Sequence, residues 1–290
     1  LISNNFNIIP LPQLIDALKK QTALPPKTIA ITFDDGYNNN YTDAAPLLEK
    51  YKLPYTIFVN PKLIDQAASY VMTWSQLKEL SNKGATIANH SADHAYLHKR
   101  LENEDKSQWL SRIREDIVTS EQRIKEEIGH NYRYLAYPYG EFNSDLQKLV
   151  QELGFVGIGQ HSGAVGLSND LTRLPRFPAS GTYSNLETLK TKLTTLAFEF
   201  KIEPEVDSVT TQNPPSITLN FSELDFKKEA FQCFISSSNQ AILTWHSATQ
   251  VRIAATNPLK LGRTRFNCTA PSISKRGQFY WFSQPWVIVE

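Results

Sequence analysis

The sequence predicts an α/β domain followed by a smaller β-sandwich, and three observations carry that expectation. From Leu1 to about Phe200, short apolar β-like runs alternate with amphipathic helical patterns, as they do when parallel strands are joined by helical crossovers. Beyond Phe200, Glu203-Pro204-Glu205 and Asn213-Pro214-Pro215 interrupt regular structure. A boundary is therefore expected near residue 202, giving domains 1–202 and 203–290. The remainder consists of brief runs such as Ile217 to Phe221, Ala230 to Ile235 and Ala241 to Trp245, and it ends in Phe279-Tyr280-Trp281-Phe282 and Trp286-Val287-Ile288-Val289. That texture suggests a sandwich, for which carbohydrate binding is one role left open.

In the first domain the strand candidates are Thr28 to Phe33, Tyr55 to Val59, Ala85 to Ala88, Tyr134 to Tyr137 and Phe155 to Ile158. Helix starts are marked by Thr73-Trp74-Ser75-Gln76 and Ser184-Asn185-Leu186-Glu187, both fitting a capping box that satisfies otherwise orphaned backbone N–H groups. Gly84 and Gly154 suit the corresponding helix ends. The stretch from about Asp105 to Ile128 places Leu110, Ile113, Ile117 and Ile124 at near-helical spacing and predicts a surface helix with one apolar stripe.

A chain of 290 residues buries a sizeable core without needing a metal or disulfide. Its net charge of +1 gives no reason to expect a nucleic-acid partner. No apolar run approaches the ~18 residues needed to cross a bilayer. Leu1 to Phe6 show neither the basic nor the apolar region of a signal peptide, so the chain is expected to have been processed. Cys233 and Cys268 both fall in the last quarter. They read either as one disulfide of a secreted or periplasmic β domain or as two buried thiols.

Chemistry-bearing residues sit at the ends of predicted strands, where α/β folds collect their active-site groups. Ile29 to Phe33 runs straight into Asp34-Asp35-Gly36. Adjacent acids repel, so two that share a site need a cation or a shared proton; an inert, solvated turn is the other reading. His90 and His94, after Ile87-Ala88, would share one face of a helical turn and converge on one cation. Adding Asp35 gives a two-His, one-Asp site with an open position for water, while His98 is expected at the surface. The third segment, Tyr134 to Asn143, ends a strand in Tyr137-Pro138-Tyr139-Gly140. There the N–H of Tyr139 would face a ligand, unless the segment is an ordinary aromatic turn.

Together, and in this order, the three segments resemble the polysaccharide deacetylases of the NodB-homology type. Thr32-Phe33-Asp34-Asp35-Gly36 matches the first motif, His90-Ser91-Ala92-Asp93-His94 the second and Tyr137-Pro138-Tyr139-Gly140 part of the third, over about residues 28 to 180. The resemblance implies a distorted (β/α) barrel with fewer than eight strands. It assigns Asp34 as catalytic base and Asp35, His90 and His94 as ligands of one divalent metal, zinc first, with cobalt or nickel as alternatives. Tyr139 would stabilise the oxyanion, with Tyr137 and Pro138 at the substrate.

Two departures from the family stand out. The arginine that usually precedes the third motif is replaced by Ala136, and Arg176 is either its substitute from a later strand or a surface residue. No late Leu-x-His motif supplies the general-acid histidine. The Ala-Tyr-Pro-Tyr-Gly and Leu-Pro-Arg spellings are similar to the branch that includes periplasmic poly-N-acetylglucosamine deacetylases. In that branch the histidine segment precedes the Asp-Asp motif, so it is expected upstream of Leu1. Within the chain His161, among glycines, is the best substitute, with a packing role as its rival, while His246 and His130 read as structural.

The expectation is a secreted or periplasmic metal-dependent hydrolase that removes N-acetyl groups from an acetylated polysaccharide, an N-acetylglucosamine polymer first. An O-acetyl xylan esterase and a non-catalytic carbohydrate-binding protein on a deacetylase scaffold are the alternatives. A two-metal phosphoesterase would need further ligands.

Overall fold

The computed structural model describes residues 5–236 and 239–290; residues 1–4, part of the segment read for a leader, lie outside the described residues. The chain divides into two compact units, Leu1–Tyr139 with Lys148–Ile158, and Gly140–Gln147 with Gly159–Glu290, so residues 159–202 group with the C-terminal strands.

In the first unit a short parallel pair, β1 (Asn7–Ile8) and β2 (Thr28–Ile29), precedes a five-stranded sheet. Its strands are β3 (Ile31–Phe33), β4 (Tyr55–Val59), β5 (Thr86–Asn89), β6 (Tyr134–Ala136) and β7 (Val156–Ile158). They lie side by side in sequence order, all parallel, with Thr56 opposite Thr86 and Asn89 opposite Leu135. This open, all-parallel sheet of five strands agrees with the expected barrel of fewer than eight strands. The run expected as one strand from Thr28 to Phe33 divides at Ala30, its two halves pairing with different partners. Every residue of β4 to β7 is buried, which is why these strands read as continuous apolar runs.

The crossover helices α1 (Trp74–Asn82) and α2 (Lys106–Ile128) begin in capping boxes, Thr73 with Gln76 and Asp105 with Gln108. On α2 the residues Trp109, Ile113, Ile117, Ile124 and Ile128 form the buried stripe. Each such side chain contributes about 1.5–3 kcal/mol relative to exposure. Leu77 and Leu80 of α1 join Ile57, Val59, Ile87 and Ile124 in one core. The cap expected at Ser184 is made by Asn185, whose Oδ1 accepts the Thr188 N–H at 3.0 Å.

The second unit carries two largely antiparallel sheets. One has four strands, formed by β8 (Phe200–Ile202), β10 (Ser216–Phe221), β13 (Ile242–Trp245) and β14 (Gln250–Ala254). The other has five: β9 (Val209–Thr210), β11 (Gln232–Ile235), β12 (Asn239–Gln240), β15 (Gly262–Pro271) and β16 (Phe279–Ile288). Leu219, Phe221 and Ile253 from the first sheet pack with Phe266, Cys268 and Trp286 from the second in one shared core, the anatomy of a sandwich. Cys233 and Cys268 stand directly opposite each other on β11 and β15, fully buried and joined as a disulfide. Among the described residues no helix is long and apolar enough to cross a membrane.

Candidate metal centre

The first unit's chemistry gathers at the carboxyl ends of β3, β5 and β6. After Phe33 the chain turns through Asp35 and Gly36 at φ 67° and 63°. Gly36 is required twice over: its φ is left-handed, and a Cβ there would lie 3.1 Å from Val59 Cγ1. Two strands away β5 delivers His90, whose N–H donates to the Val59 carbonyl at 2.9 Å. Between them β4 withdraws, because Asn60 leads into the Pro61–Asp65 helix. Asn60 Nδ2 donates to the carbonyls of His90 (2.5 Å) and Ser91 (3.2 Å). The residues after β3 and β5 can therefore meet across the end of β4.

Asp35 Oδ1 lies 3.5 Å from His90 Nε2 and 3.4 Å from His94 Nε2, and one donor atom from each of the three residues falls within 4.8 Å of the others. The histidines do not converge on a helical turn, as their spacing predicted. They are joined by a loop in which Ser91 and His94 take φ 66° and 62°, and this reversal brings the second ring back beside the first at 4.8 Å. Fully buried Asn89 holds the loop: its Oδ1 accepts the Ser91 N–H at 2.9 Å, while its Nδ2 donates to Ile117 O and Glu121 Oε2. Ser91 Oγ then accepts the His94 N–H at 3.2 Å.

His90 Nδ1 lies 2.7 Å from the Ala136 carbonyl, an acceptor only, so Nδ1 carries the proton and Nε2 carries the lone pair. That Nε2 is buried and has no hydrogen-bond partner among the described residues. Burial alone would push the Asp35 carboxyl up, but the His90 and His94 imidazoles outweigh it and hold it below the usual range. Burial, with His90 beside it, lowers the His94 imidazole. Each shift favours the form that ligates, carboxylate or neutral imidazole. Two imidazole nitrogens and one carboxylate suit a zinc-type ion and leave a coordination position open.

Tyr139, after β6, adopts φ 61° and ψ 1°, with its ring edge-on to His94 at 4.4 Å. Asp35, Ser91, His94 and Tyr139 thus all hold left-handed backbone, which costs each about 1–2 kcal/mol. Asp34 is half-buried beside the triad, and its charge acts on both Asp35 and His94. Tyr137 and Pro138 are buried, the Tyr137 N–H donating to Ile158 O at 3.0 Å.

His161 and Arg176 belong to the second unit. His161 is buried, and desolvation, with the charges of Arg173 and Arg176, holds its imidazole well below the ordinary histidine range. The glycine beside it does not make room for a ligand: a Cβ on Gly159 would meet His161 Nδ1 at 2.5 Å, so the space is filled by the histidine itself. Arg176 Nε donates to Gly159 O at 2.8 Å, and its N–H to His161 O at 2.9 Å. His98, expected at the surface, is buried and edge-on to Tyr96. The sequence reading did not single out Asn60, Asn89 or Tyr96; Asn89 and Tyr96 stand within a few residues of the histidines, and Asn60 directly follows the expected strand Tyr55 to Val59.

The polysaccharide deacetylase family model matches residues 21–158. A family protein of Bacillus subtilis (strain 168) is 29% identical over 155 residues, which is 53% of this chain and 52% of that protein. The poly-beta-1,6-N-acetyl-D-glucosamine N-deacetylase of Staphylococcus epidermidis is 29% identical over 167 residues, 56% of this chain and 58% of that enzyme. The chain therefore spans little more than half the length of these two relatives. The deacetylase domain of BpsB from Bordetella bronchiseptica superimposes with a TM-score of 0.54 at 28% identity, covering 59% of this chain and 78% of that one. The three motif segments at the ends of β3, β5 and β6 all fall within the residues, 21–158, that are similar to the polysaccharide deacetylase family.

Proposed function

We propose that the protein is a metal-dependent hydrolase that removes N-acetyl groups from a polymer of N-acetylglucosamine. The observation that carries this reading is the convergence of Asp35, His90 and His94, with one nitrogen buried and without a hydrogen-bond partner among the described residues, next to a second acid, Asp34. A divalent ion held by these three residues would supply Lewis acidity toward the acetyl carbonyl and the attacking water. Asp34, adjacent to the ligand Asp35 and half-open to solvent, takes the proton from that water. The Tyr139 N–H, aimed by its left-handed backbone, donates to the oxygen on which negative charge develops. Water adds to the carbonyl carbon, the C–N bond breaks, and acetate and a protonated amine leave.

Protonation of that amine was expected from His161, with Arg176 orienting Asp34. An imidazole held neutral by burial and by two guanidinium groups is a poor proton donor. We therefore give the proton collected by Asp34 as the one returned to nitrogen, by the same carboxyl. Tyr137 and Pro138 act from beneath the turn, shaping it rather than presenting a surface. The relatives named for poly-beta-1,6-N-acetyl-D-glucosamine support the choice of polymer. The buried disulfide supports an oxidising compartment, secreted or periplasmic.

The test is acetate release from β-1,6-linked N-acetylglucosamine oligomers set against acetyl-xylan. Preference for the amide substrate supports the reading. Activity confined to the ester makes the protein an O-acetyl esterase, and activity on neither returns it to a binding role.

A further inference from the structure

Tyr96 lies two residues beyond the second histidine and is 37% exposed. An exposed tyrosine beside a glycan-processing centre invites assignment as a stacking platform for a sugar ring. Its surroundings argue otherwise. One face of the ring is stacked on Tyr139, centroids 4.0 Å apart and planes within 11°. The Lys99 ammonium sits 4.1 Å from the same centroid, and two groups at that distance cannot share a face. Both faces of Tyr96 are therefore occupied, and only its rim meets solvent.

The stack runs Lys99, Tyr96, Tyr139, His94, and its last two members are in left-handed backbone. It joins two segments far apart in sequence, the loop carrying the second histidine and the turn after β6. The loop end is anchored: Leu97 is buried, and its carbonyl accepts the Trp109 Nε1–H of α2 at 2.8 Å. Tyr96 thus projects from a fixed point onto the same ring that His94 meets in an edge contact.

We infer that Tyr96 is a positioning residue that braces His94 and the Tyr139 turn together, setting ligand geometry and oxyanion donor in one contact. The catalytic half of this inference rests on the reading of Tyr139 above; the metal half stands without it. Loss of a group that orients a ligand typically costs about 10–100-fold in metal affinity or activity. The contact is made by the ring and not by its hydroxyl, so phenylalanine should serve equally.

The experiment measures Co2+ affinity by ligand-field absorption, together with kcat and KM for acetate release, in wild type, Tyr96→Ala, Tyr96→Leu and Tyr96→Phe. The ring lies at the surface, so the variants keep the fold. Tyr96→Ala and Tyr96→Leu are expected to weaken Co2+ binding about tenfold, to perturb its absorption and to lower kcat about tenfold at unchanged KM. Tyr96→Phe should restore all three. A rise in KM alone would make Tyr96 a substrate platform, and Co2+ affinity within twofold of wild type in the alanine variant would overturn the brace. If wild type releases no acetate, the proposed function fails, while the Co2+ measurements still decide whether Tyr96 positions His94.

Discussion

His90 Nδ1 lies 2.7 Å from the carbonyl oxygen of Ala136 on the neighbouring strand, and this one contact fixes which nitrogen of the ring faces Asp35. Zinc should therefore bind His90 through Nε2, with Nδ1 remaining protonated. Long-range 1H–15N spectra of the zinc-loaded protein should show this tautomer, and coordination through Nδ1 would contradict it. His90→Ala should weaken zinc binding by at least ~100-fold, since it removes one of three protein ligands.

Asp34 adjoins the triad without being part of the converging set. Asp34→Asn should keep one zinc per chain and lose about 10²–10⁴-fold in kcat, the effect of removing a general base. Zinc content and acetate release measured on the same sample separate the two roles. A parallel fall in both would place Asp34 among the ligands.

The loop between the histidines leans on Asp116, whose Oδ1 accepts the Ala92 N–H at 3.1 Å. Burial pushes the Asp116 carboxyl up from 3.8 to about 6, with Asp93 adding to the rise and the Ala92 N–H, Arg112 and Lys62 opposing it. The folded state therefore holds this proton more tightly than the unfolded chain. Its stabilisation is complete below about pH 4 and is lost as pH rises through 6, on the order of 3 kcal/mol in all. Asp116→Asn has no such proton. Denaturation from pH 4 to 7 should thus show wild type losing stability relative to the variant, and a constant difference would refute the assignment.

Cys233 and Cys268 close a loop of sequence separation 35 in the sandwich core. On chain entropy, replacing both with serine should cost about 4 kcal/mol of that unit's stability. Zinc affinity should not change, because the triad lies in the other unit. Urea titration with and without zinc checks both statements.

The parts of the fold most legible in the sequence were those set by local chemistry. Tyr55 to Val59 is found as expected because a run buried on both faces is apolar throughout. Thr73 caps its helix because Gln76 stands three residues on. That Asp35, His90 and His94 would gather was legible through strand ends and family motifs. Their geometry was not, because the left-handed turns at Ser91 and His94 are imposed by Asn89 and Asn60, which act through tertiary contacts. His98 was misplaced for the same reason: Leu97 and Trp109 draw its segment inward. Tyr96 escaped notice because its partner Tyr139 lies on another strand's turn.

The most direct test of the account is a zinc titration of the metal-free protein, followed by acetate release from a β-1,6-linked N-acetylglucosamine oligomer. Activity should rise linearly to one equivalent of zinc per chain, vanish with chelator and be absent in Asp35→Ala at the same zinc concentration. Full acetate release by the metal-free protein, or by Asp35→Ala, would contradict it.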